Sequence, residues 1–254
     1  MLEARGLTKK YASIPALDDA SFIAEPGQVL GYLGPNGSGK STTVNILTGL
    51  LEPTRGEVLF EGKPIRGQMI EYKQRLGYVP EEPHIYPYLS GYEYLELAGR
   101  LRLVPEHLLK DKIEGFLRLF GLSAARHTAI ASYSKGMKQK VLISGALLHN
   151  PDVLIFDEPL SGLDVTSALV FRSLLTALAK EGKTILYSSH VLEMVERVCS
   201  RVVILYKGKV VANDSVTQLR SLMSLPSLER IFSQLVVEED TEKTAGEIVE
   251  VMKY

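Results

Sequence analysis

The sequence predicts an α/β fold in which a mixed parallel sheet is covered on both faces. Apolar strands alternate with helices in the second half of the chain: the fully apolar VLIF (153–156) precedes an amphipathic helix over Val165–Lys180, and the strand TILYSS (184–189) precedes another helix. Strands without polar alternation are typical of sheets buried on both sides. Beyond them, RVVILYKGKVV predicts two strands around a turn at Lys207 and Gly208.

The N-terminal part of the chain predicts mainly strands and turns. Residues 1–34 contain β-rich segments around a proline-glycine turn at Pro26, and a glycine-rich loop follows them. A helix is expected from about Lys40 to Leu51. Short strands are expected at Glu57–Phe60 and Arg75–Val79.

The segment between Glu82 and Asn150 is predicted to be mainly helical. A stripe of apolar residues recurs there at the spacing of one helix face, and Gly121 suits the C-terminal end of that helix. The stripe consists of Leu109, Ile113, Phe116, Leu117 and Phe120. We therefore expect one domain over residues 1–220, with a helical subdomain inserted at about residues 82–150.

The last segment, residues 221–254, is expected to be a partly helical tail. SLERIFSQLVV keeps an apolar periodicity, whereas EEDTEKTAGEIVEVMKY is strongly polar. Such a polar stretch predicts a solvated helix or partial disorder.

The composition excludes some classes of protein. The net charge of −1 lacks the basic excess that is typical of nucleic-acid binders. A single cysteine, Cys199, allows no internal disulfide, and its apolar neighbours predict a buried small hydrophobe. No run approaches 18 apolar residues, so any membrane span is expected to come from another chain.

A phosphate-binding loop is predicted at GPNGSGKS, which fits the pattern G-x-x-x-x-G-K-[ST] in full. It follows the apolar strand QVLGYL and precedes a helix, which is the context the motif requires. Glycines let backbone N–H groups surround phosphate oxygens, and the helix N-terminus adds its dipole. In this motif the lysine reaches the β- and γ-phosphates and the hydroxyl contacts Mg²⁺. The predicted nucleotide contacts are Gly34, Pro35, Asn36, Gly37, Ser38, Gly39, Lys40, Ser41 and Thr42.

Two adjacent carboxylates, Asp157 and Glu158, end the apolar strand VLIF. Sites in α/β sheets lie at the carboxyl ends of strands. Asp157 is a candidate Mg²⁺ ligand, together with Ser41, and Glu158 is a candidate general base that polarises the attacking water. The alternative is a polar loop in which Asp157 only caps the following segment.

With these motifs in order, the sequence resembles the nucleotide-binding subunit of an ATP-binding cassette (ABC) transporter over about residues 1–220. The resemblance implies a P-loop NTPase core, an N-terminal antiparallel β subdomain and an inserted helical subdomain. It implies that Tyr11 stacks on adenine, although an ordinary edge-strand tyrosine is the alternative. It also implies that His190 is the switch histidine that contacts the γ-phosphate, although a helix N-cap is the alternative. The residues that resemble the D-loop are Ser161, Gly162, Leu163 and Asp164.

The segment YSKGMKQK (133–140) resembles the family's signature, usually written LSGGQ. The resemblance implies that it crosses a head-to-tail dimer and caps the γ-phosphate bound by the partner. The signature residues are Ser134, Lys135, Gly136 and Met137. Ser134 and Gly136 are expected to donate to phosphate oxygens. Lys138 and Lys140 lie farther along the helix, where a solvated face is expected.

Two positions depart from the family pattern. Lys135 replaces the first glycine of the usual pair, and it either adds positive charge near the phosphate or points to solvent. Glu81 stands where the family has a glutamine that contacts Mg²⁺, with Glu82 as the alternative register. Glu81 is therefore a candidate metal ligand.

The function that these motifs imply is an Mg²⁺-dependent ATPase that powers a separately encoded membrane permease. The S-K-G-M signature, the Pro-Glu-Glu loop and SLERIF resemble the branch that serves bacterial exporters. The implied partners are an integral membrane permease and a second cassette, with ATP and Mg²⁺ as cofactors and a location on the inner face of the cell membrane. The alternatives are a soluble ABC-type ATPase of DNA repair or translation and an unrelated phosphate-loop kinase or GTPase.

Overall fold

The structure is a computed structural model, and it describes residues 1–12, 14–83, 85–189, 191–223, 225, 227–236 and 241–252. The strands, in chain order, are β1 (Leu2–Tyr11), β2 (Ile14–Ala24), β3 (Val29–Leu33), β4 (Arg55–Phe60), β5 (Lys63–Pro64), β6 (Leu76–Val79), β7 (Val153–Asp157), β8 (Thr184–Ser188), β9 (Arg201–Tyr206) and β10 (Lys209–Ser215). The helices are α1 (Lys40–Leu47), α2 (Met69–Gln74), α3 (Gly91–Leu101), α4 (Glu106–Leu119), α5 (Lys135–Leu147), α6 (Val165–Lys180), α7 (Leu192–Val198), α8 (Val216–Met223), α9 (Leu228–Val236) and α10 (Thr241–Val251).

The strands form two sheets. The first is antiparallel and has the order β2-β1-β4-β5. The second has the order β10-β9-β3-β8-β7-β6, and in it only the pairing of β9 with β10 is antiparallel. The mixed parallel sheet and the N-terminal antiparallel subdomain are thus as the sequence predicts.

The parallel strands bring four loops to one edge of the second sheet. β3, β6, β7 and β8 run in the same direction and neighbour one another in the order β3-β8-β7-β6. Every residue of β3, β7 and β8 is buried, because the antiparallel sheet and α1 pack on one face of the second sheet and helices, among them α5 and α6, pack on the other. The loops that leave the carboxyl ends of these strands therefore begin side by side, at a position fixed by the core.

The helical subdomain has an apolar cluster of its own, built mainly from α3, α4 and α5. Leu109, Ile113 and Leu117 are fully buried in it, and Phe116 and Phe120 pack at its margin, so the predicted stripe does face a core. A capping box begins α3, in which Ser90 accepts from the Glu93 N–H and the Glu93 carboxylate accepts from the Ser90 N–H.

The first helix ends earlier than its sequence predicts. It was expected to reach Leu51, but α1 ends at Leu47. The N–H groups of Leu50 and Leu51 both donate to the carbonyl of Asn45, which breaks the helical ladder, and Gly49 adopts a φ of +68°. The helix is shorter because this turn satisfies the carbonyls at its C-terminus.

The two last helices of the tail differ in burial: α9 packs on the core, whereas the described side chains of α10 are exposed. Leu228, Ile231 and Val236 of α9 are buried against the second sheet's cluster, whereas residues 246–252, in and after α10, are exposed. Cys199 is buried, as expected, and burial raises the pKa of its thiol. Within the described residues, we find no helix with the length and apolarity that a membrane span requires.

Candidate functional site

A cavity of about 320 Å³ opens at the carboxyl edge of the parallel strands. The cavity is surrounded by the loop after β3, the start of α1, the end of β7, the segments that follow β6 and β7, and one residue of β2. Its lining residues are Ala16, Asn36, Gly37, Gly39, Lys40, Ser41, Thr42, Glu81, Asp157 and Glu158. Most of the predicted nucleotide contacts and all three predicted metal ligands therefore line one cavity.

The phosphate loop is held in place by residues outside it. Gly39 adopts a φ of +108°, and a Cβ at this position would collide with the carbonyl oxygen of Ala16. Only glycine tolerates this combination of backbone angle and close approach. The carbonyl of Ser38 accepts from the Gly208 N–H at 3.0 Å, so the turn between β9 and β10 supports the loop from the other side.

The donors of the loop suit an anion. The Lys40 ammonium donates to the carbonyls of Gly34 at 2.8 Å and Pro35 at 3.2 Å, so its positive charge lies across the mouth of the loop. The buried Ser38 hydroxyl oxygen has no hydrogen-bond partner among the described residues. A helix N-terminus, a lysine and an unsatisfied hydroxyl are the groups that bind phosphate.

The acidic half of the cavity suits a cation. Asp157 is the last residue of β7 and only 5% exposed. Burial, together with the charges of Glu81 and Glu158, raises the pKa of its carboxyl to about 6. A bound cation would offset this repulsion, and Mg²⁺ is usually held by one or two carboxylates plus substrate phosphates. The hydroxyl of Ser41 and the carboxylates of Glu81 and Asp157 therefore form a donor set that fits Mg²⁺.

Glu158 occupies a strained position at the start of the loop after β7. Its φ is +46°, in the left-handed region that non-glycine residues seldom adopt. Its N–H donates to the carbonyl of Ser188, and the Ser189 hydroxyl donates to its Oε2 at 3.3 Å. The side chain is thus turned into the cavity and held there by the end of the neighbouring strand.

The two glutamates of the loop after β6 differ in position. Glu81 lines the cavity and Glu82 does not. Tyr11, at the end of β1, is 51% exposed and does not line the cavity; the Lys9 ammonium lies 5.6 Å from its ring centroid. The prediction for His190 lies outside the described residues.

The signature segment stands away from the cavity of its own chain, since none of its four residues lines that cavity. Ser134 is the N-cap of α5 and accepts from the Met137 N–H at 3.2 Å. Tyr133, before it, is buried and donates to the carbonyl of Ala125 at 2.6 Å, so the segment is anchored to the helical subdomain. Ser134 and Lys135 are exposed.

The signature and the D-loop of one chain touch each other. A Cβ on Gly136 would lie 2.5 Å from the carbonyl oxygen of Gly162, so the D-loop backbone already fills that space. The alkyl chain of Lys135 packs over Gly162, whose own Cβ would lie 2.8 Å from the Lys135 Cγ. The side chain of Lys135 therefore packs against the D-loop of its own chain. This contact is a third possibility beside the two that the sequence suggested, a charge near the phosphate or a side chain that points to solvent.

One expectation for the lysines of this helix is wrong. Lys140 does not belong to a solvated face, because its side chain is only 18% exposed and its ammonium lies 3.3 Å from the Asp164 carboxylate. The physical reason is the length of the side chain, which follows the helix surface to the start of α6.

Sequence reasoning also missed two residues of the cavity region. Ser189 was visible as a hydroxyl at the end of a strand, and the adjacency of β7 and β8 explains its contact with Glu158. Ala16 carried no signal, because it contributes its carbonyl from a strand of the other sheet.

The fold and the site together define a P-loop nucleoside triphosphatase of the ABC type. The family model described as "ABC transporter" matches residues 17–161. The chain belongs to the ABC transporter family, as the sequence motifs indicate.

Two relatives from Bacillus subtilis (strain 168) match nearly the whole chain. "ABC transporter ATP-binding protein NatA" is 36% identical over 92% of this chain and 96% of the relative. "ABC-type transporter ATP-binding protein EcsA" is 32% identical over 94% of this chain and 98% of the relative. The match thus extends well beyond the segment that the family model covers.

Solved structures agree with this assignment. "Structure of ATP binding subunit of ABC transporter" has a TM-score of 0.88 and 33% identity, and the match covers 92% of this chain and 99% of that one. The ATP-binding cassette MJ0796, a dimer in a post-hydrolysis state with ADP and Pi, has a TM-score of 0.79 and 25% identity over 85% of this chain and 98% of that one. The P-loop NTPase fold is thereby confirmed.

Proposed function

We propose that this chain is the ATP-hydrolysing subunit of an ABC transporter and powers a separately encoded membrane permease of the exporter type. The observation that carries the proposal is one cavity in which the phosphate loop faces three carboxylates. A phosphate-binding half and a cation-binding half within one cavity are what phosphoryl transfer requires.

On the phosphate side, the chain's own groups bind and orient ATP. Lys40 and the N–H groups of the loop receive the phosphates, the Ser38 hydroxyl supplies an unused hydrogen-bonding group, and Tyr11 stacks on the adenine. Mg²⁺, held by Ser41, Asp157 and Glu81, would neutralise developing charge on the phosphates when bound. Lys40 leaves its carbonyl partners when a phosphate is available, because a charged acceptor is the stronger one.

On the carboxylate side, Glu158 accepts a proton from the attacking water. Its left-handed backbone aims the carboxylate into the cavity, and the Ser189 hydroxyl restrains one of its oxygens. His190 contacts the γ-phosphate in this proposal, by resemblance to the family. Water adds to the γ-phosphorus as the bond to the bridging oxygen of the β-phosphate breaks, so that ADP is the leaving group, and Lys40 orients the β- and γ-phosphates for this step.

Completion of the site requires a second cassette. Ser134 and Gly136 of one copy cap the phosphate held by the other, which accounts for their distance from their own cavity. The D-loop, Ser161–Asp164, lies along the seam between the copies. ATP binding therefore closes a homodimer, or a heterodimer with a similar ATPase, and hydrolysis opens it.

The segment after Glu81 passes this motion to the permease. Tyr86 is 64% and Tyr88 is 91% exposed, and both lie directly between the cavity-lining Glu81 and the start of α3. Exposed aromatic side chains are enriched at protein interfaces. In this proposal the chain binds the inner face of the cell membrane through the permease, residues 1–220 form the ATPase domain, and the helical subdomain occupies about residues 82–150.

The test is to isolate the tagged full chain in detergent from its own cells and to identify what co-purifies. We expect an integral membrane protein to co-purify with the parent and with Ile70→Ser, whose residue is 79% exposed on α2. The double variant Tyr86→Ser/Tyr88→Ser should lose this partner. Co-purification of ribosomes or DNA-repair proteins instead would favour the alternative function and contradict this one.

A further inference from the structure

The tail helix α9 contributes a residue to a second cavity beside the proposed ATP site. A second cavity, of about 360 Å³, lies beside the first and shares Asn36 and Glu81 with it. Its lining consists of Gly34, Pro35, Asn36, Glu81, Ser189 and Leu192, together with Phe232 of α9. An aromatic residue from the C-terminal tail thus faces the start of the phosphate loop and the segment after β8.

Anchoring of α9 does not require Phe232. Leu228 and Ile231 have no exposed surface and Val236 is only 7% exposed, so these three residues already fix the helix on the core. Ser227 caps the helix by accepting from the Arg230 N–H. Phe232 is half-buried: it packs against the margin of the same cluster and also lines the second cavity.

The segment that Phe232 faces is mechanically connected to Glu158. The Ser189 hydroxyl donates to the Glu158 carboxylate at 3.3 Å and also accepts from the Val191 N–H at 3.1 Å. Leu192 begins α7, and α7 packs against α9. Displacement of the segment at its Leu192 end therefore changes the position of the hydroxyl that restrains Glu158.

The tail is tied to α7 at a second point. Arg220 of α8 donates to the Glu196 carboxylate at 3.2 Å. The two tail helices therefore hold α7 at its solvent side and at its Leu192 end, which leaves the Ser189 segment little freedom to withdraw from Glu158.

We propose that Phe232 is a positioning residue for ATP hydrolysis, which holds Ser189 and Leu192 at their working separation from the Gly34–Asn36 turn. This inference rests on the proposed role of Glu158 as the base. The residue touches no reacting atom. It acts as part of the wall of the cavity that lies between these two residues and the turn, and so limits how far the two sides can approach each other or part.

The test compares three variants of the full chain in steady-state ATP hydrolysis with Mg²⁺. Phe232→Ala should lower kcat about tenfold and leave the KM for ATP within about twofold, because positioning for the chemical step is lost while the phosphate contacts remain. Phe232→Leu should recover most of the kcat, since it restores apolar volume. Leu235→Ala, on the same half-buried helix face but outside the cavity, should lower the melting temperature while retaining kcat.

Equal kcat values for Phe232→Ala and the parent would overturn this inference. It would equally be overturned by a kcat loss of the same size in Leu235→Ala, because the effect would then come from general loosening of the tail. If the parent hydrolyses no ATP, or if Glu158→Gln is as active as the parent, the proposed function fails and this inference fails with it.

Discussion

Lys140 of the signature helix and Asp164 of the D-loop form an ion pair, with 3.3 Å between the ammonium nitrogen and Oδ2. Asp164 is also the N-cap of α6 and accepts from the N–H and the hydroxyl of Ser167. The hydrogen bonds from Ser167 and the Lys140 ammonium hold the pKa of the Asp164 carboxyl well below its usual range. The start of α6 and the first two turns of α5 are therefore joined through one carboxylate.

Loss of this pair should affect the reaction more than the stability. Asp164 is 60% exposed, so Lys140→Met should leave the free energy of unfolding almost unchanged. The variant should reduce ATP-driven dimer formation, because the contact between signature and D-loop is weakened. Lys140→Arg should restore dimer formation, and Lys138→Ala on the same helix serves as the control. A variant that dimerises like the parent would show that the pair has no part in closure.

Glu158→Gln should nearly abolish hydrolysis and leave ATP binding intact. The amide keeps the size of the side chain and its contact with Ser189 but cannot accept the proton of the attacking water. We expect trapping of an ATP-bound dimer, measured by size-exclusion chromatography beside the turnover rate. Glu82→Gln is the control, because Glu82 does not line the cavity, and this variant should hydrolyse ATP at the rate of the parent. Full turnover by Glu158→Gln would remove Glu158 as the base.

A mixed dimer tests which copy each signature serves. One subunit carries Ser134→Arg, which fills the N-cap with a bulky side chain, and the other carries Lys40→Ala, which weakens its own nucleotide site. If signatures act across the interface, placing both changes in opposite subunits disables the same site twice and leaves one site complete. Placing both in one subunit damages both sites. Higher activity from the second arrangement would contradict the cross-dimer arrangement.

His149 should make stability depend on pH. It follows α5, and its Nε2–H donates to the carbonyl of Leu76, at 3.1 Å. Burial, together with the nearby charge of Arg102, lowers its pKa to about 4 from an ordinary value of 6.5. A histidine whose folded pKa is lowered contributes stability above the unfolded pKa, and this stability is lost as the pH falls from 6.5 towards 4.

The measurement is urea unfolding of the parent and His149→Gln between pH 8 and pH 5. After allowance for partial exposure of the ring, the parent should lose about 1 kcal/mol more than the variant over this range. Glutamine can keep a hydrogen bond to Leu76 but does not titrate. Parallel pH profiles for the two proteins would show that His149 does not titrate on unfolding in this range.

The sequence alone predicted the parts of the site that depend on neighbours along the chain. The phosphate loop lies directly between β3 and α1, and Asp157 follows an unbroken apolar strand, so local pattern was sufficient. The helix over Val165–Lys180 has the predicted bounds because Asp164 caps it and Gly182 follows it.

The contacts that sequence reasoning missed join positions far apart in the chain. Lys140 and Asp164 meet only because α5 and α6 begin at the same corner, and a lysine on a polar helix face gives no sign of its partner. Phe232 fits the apolar periodicity of its helix, which predicts burial and not a place beside the phosphate loop. Such contacts depend on the packing of whole elements, for which a single sequence carries no local signal.

The edge position of β6 in the second sheet bears on which parts of the site can move. β7 and β8 each have a bonded strand on both sides, whereas β6, among the strands of the described residues, pairs with β7 alone. Asp157 and Glu158, the proposed metal ligand and base, therefore follow a strand that is bonded on both sides, whereas Glu81 and the tyrosines after it follow an edge strand. In a sheet with this strand order, a binding partner can displace the edge strand β6 while the central strands β7 and β8 keep their positions.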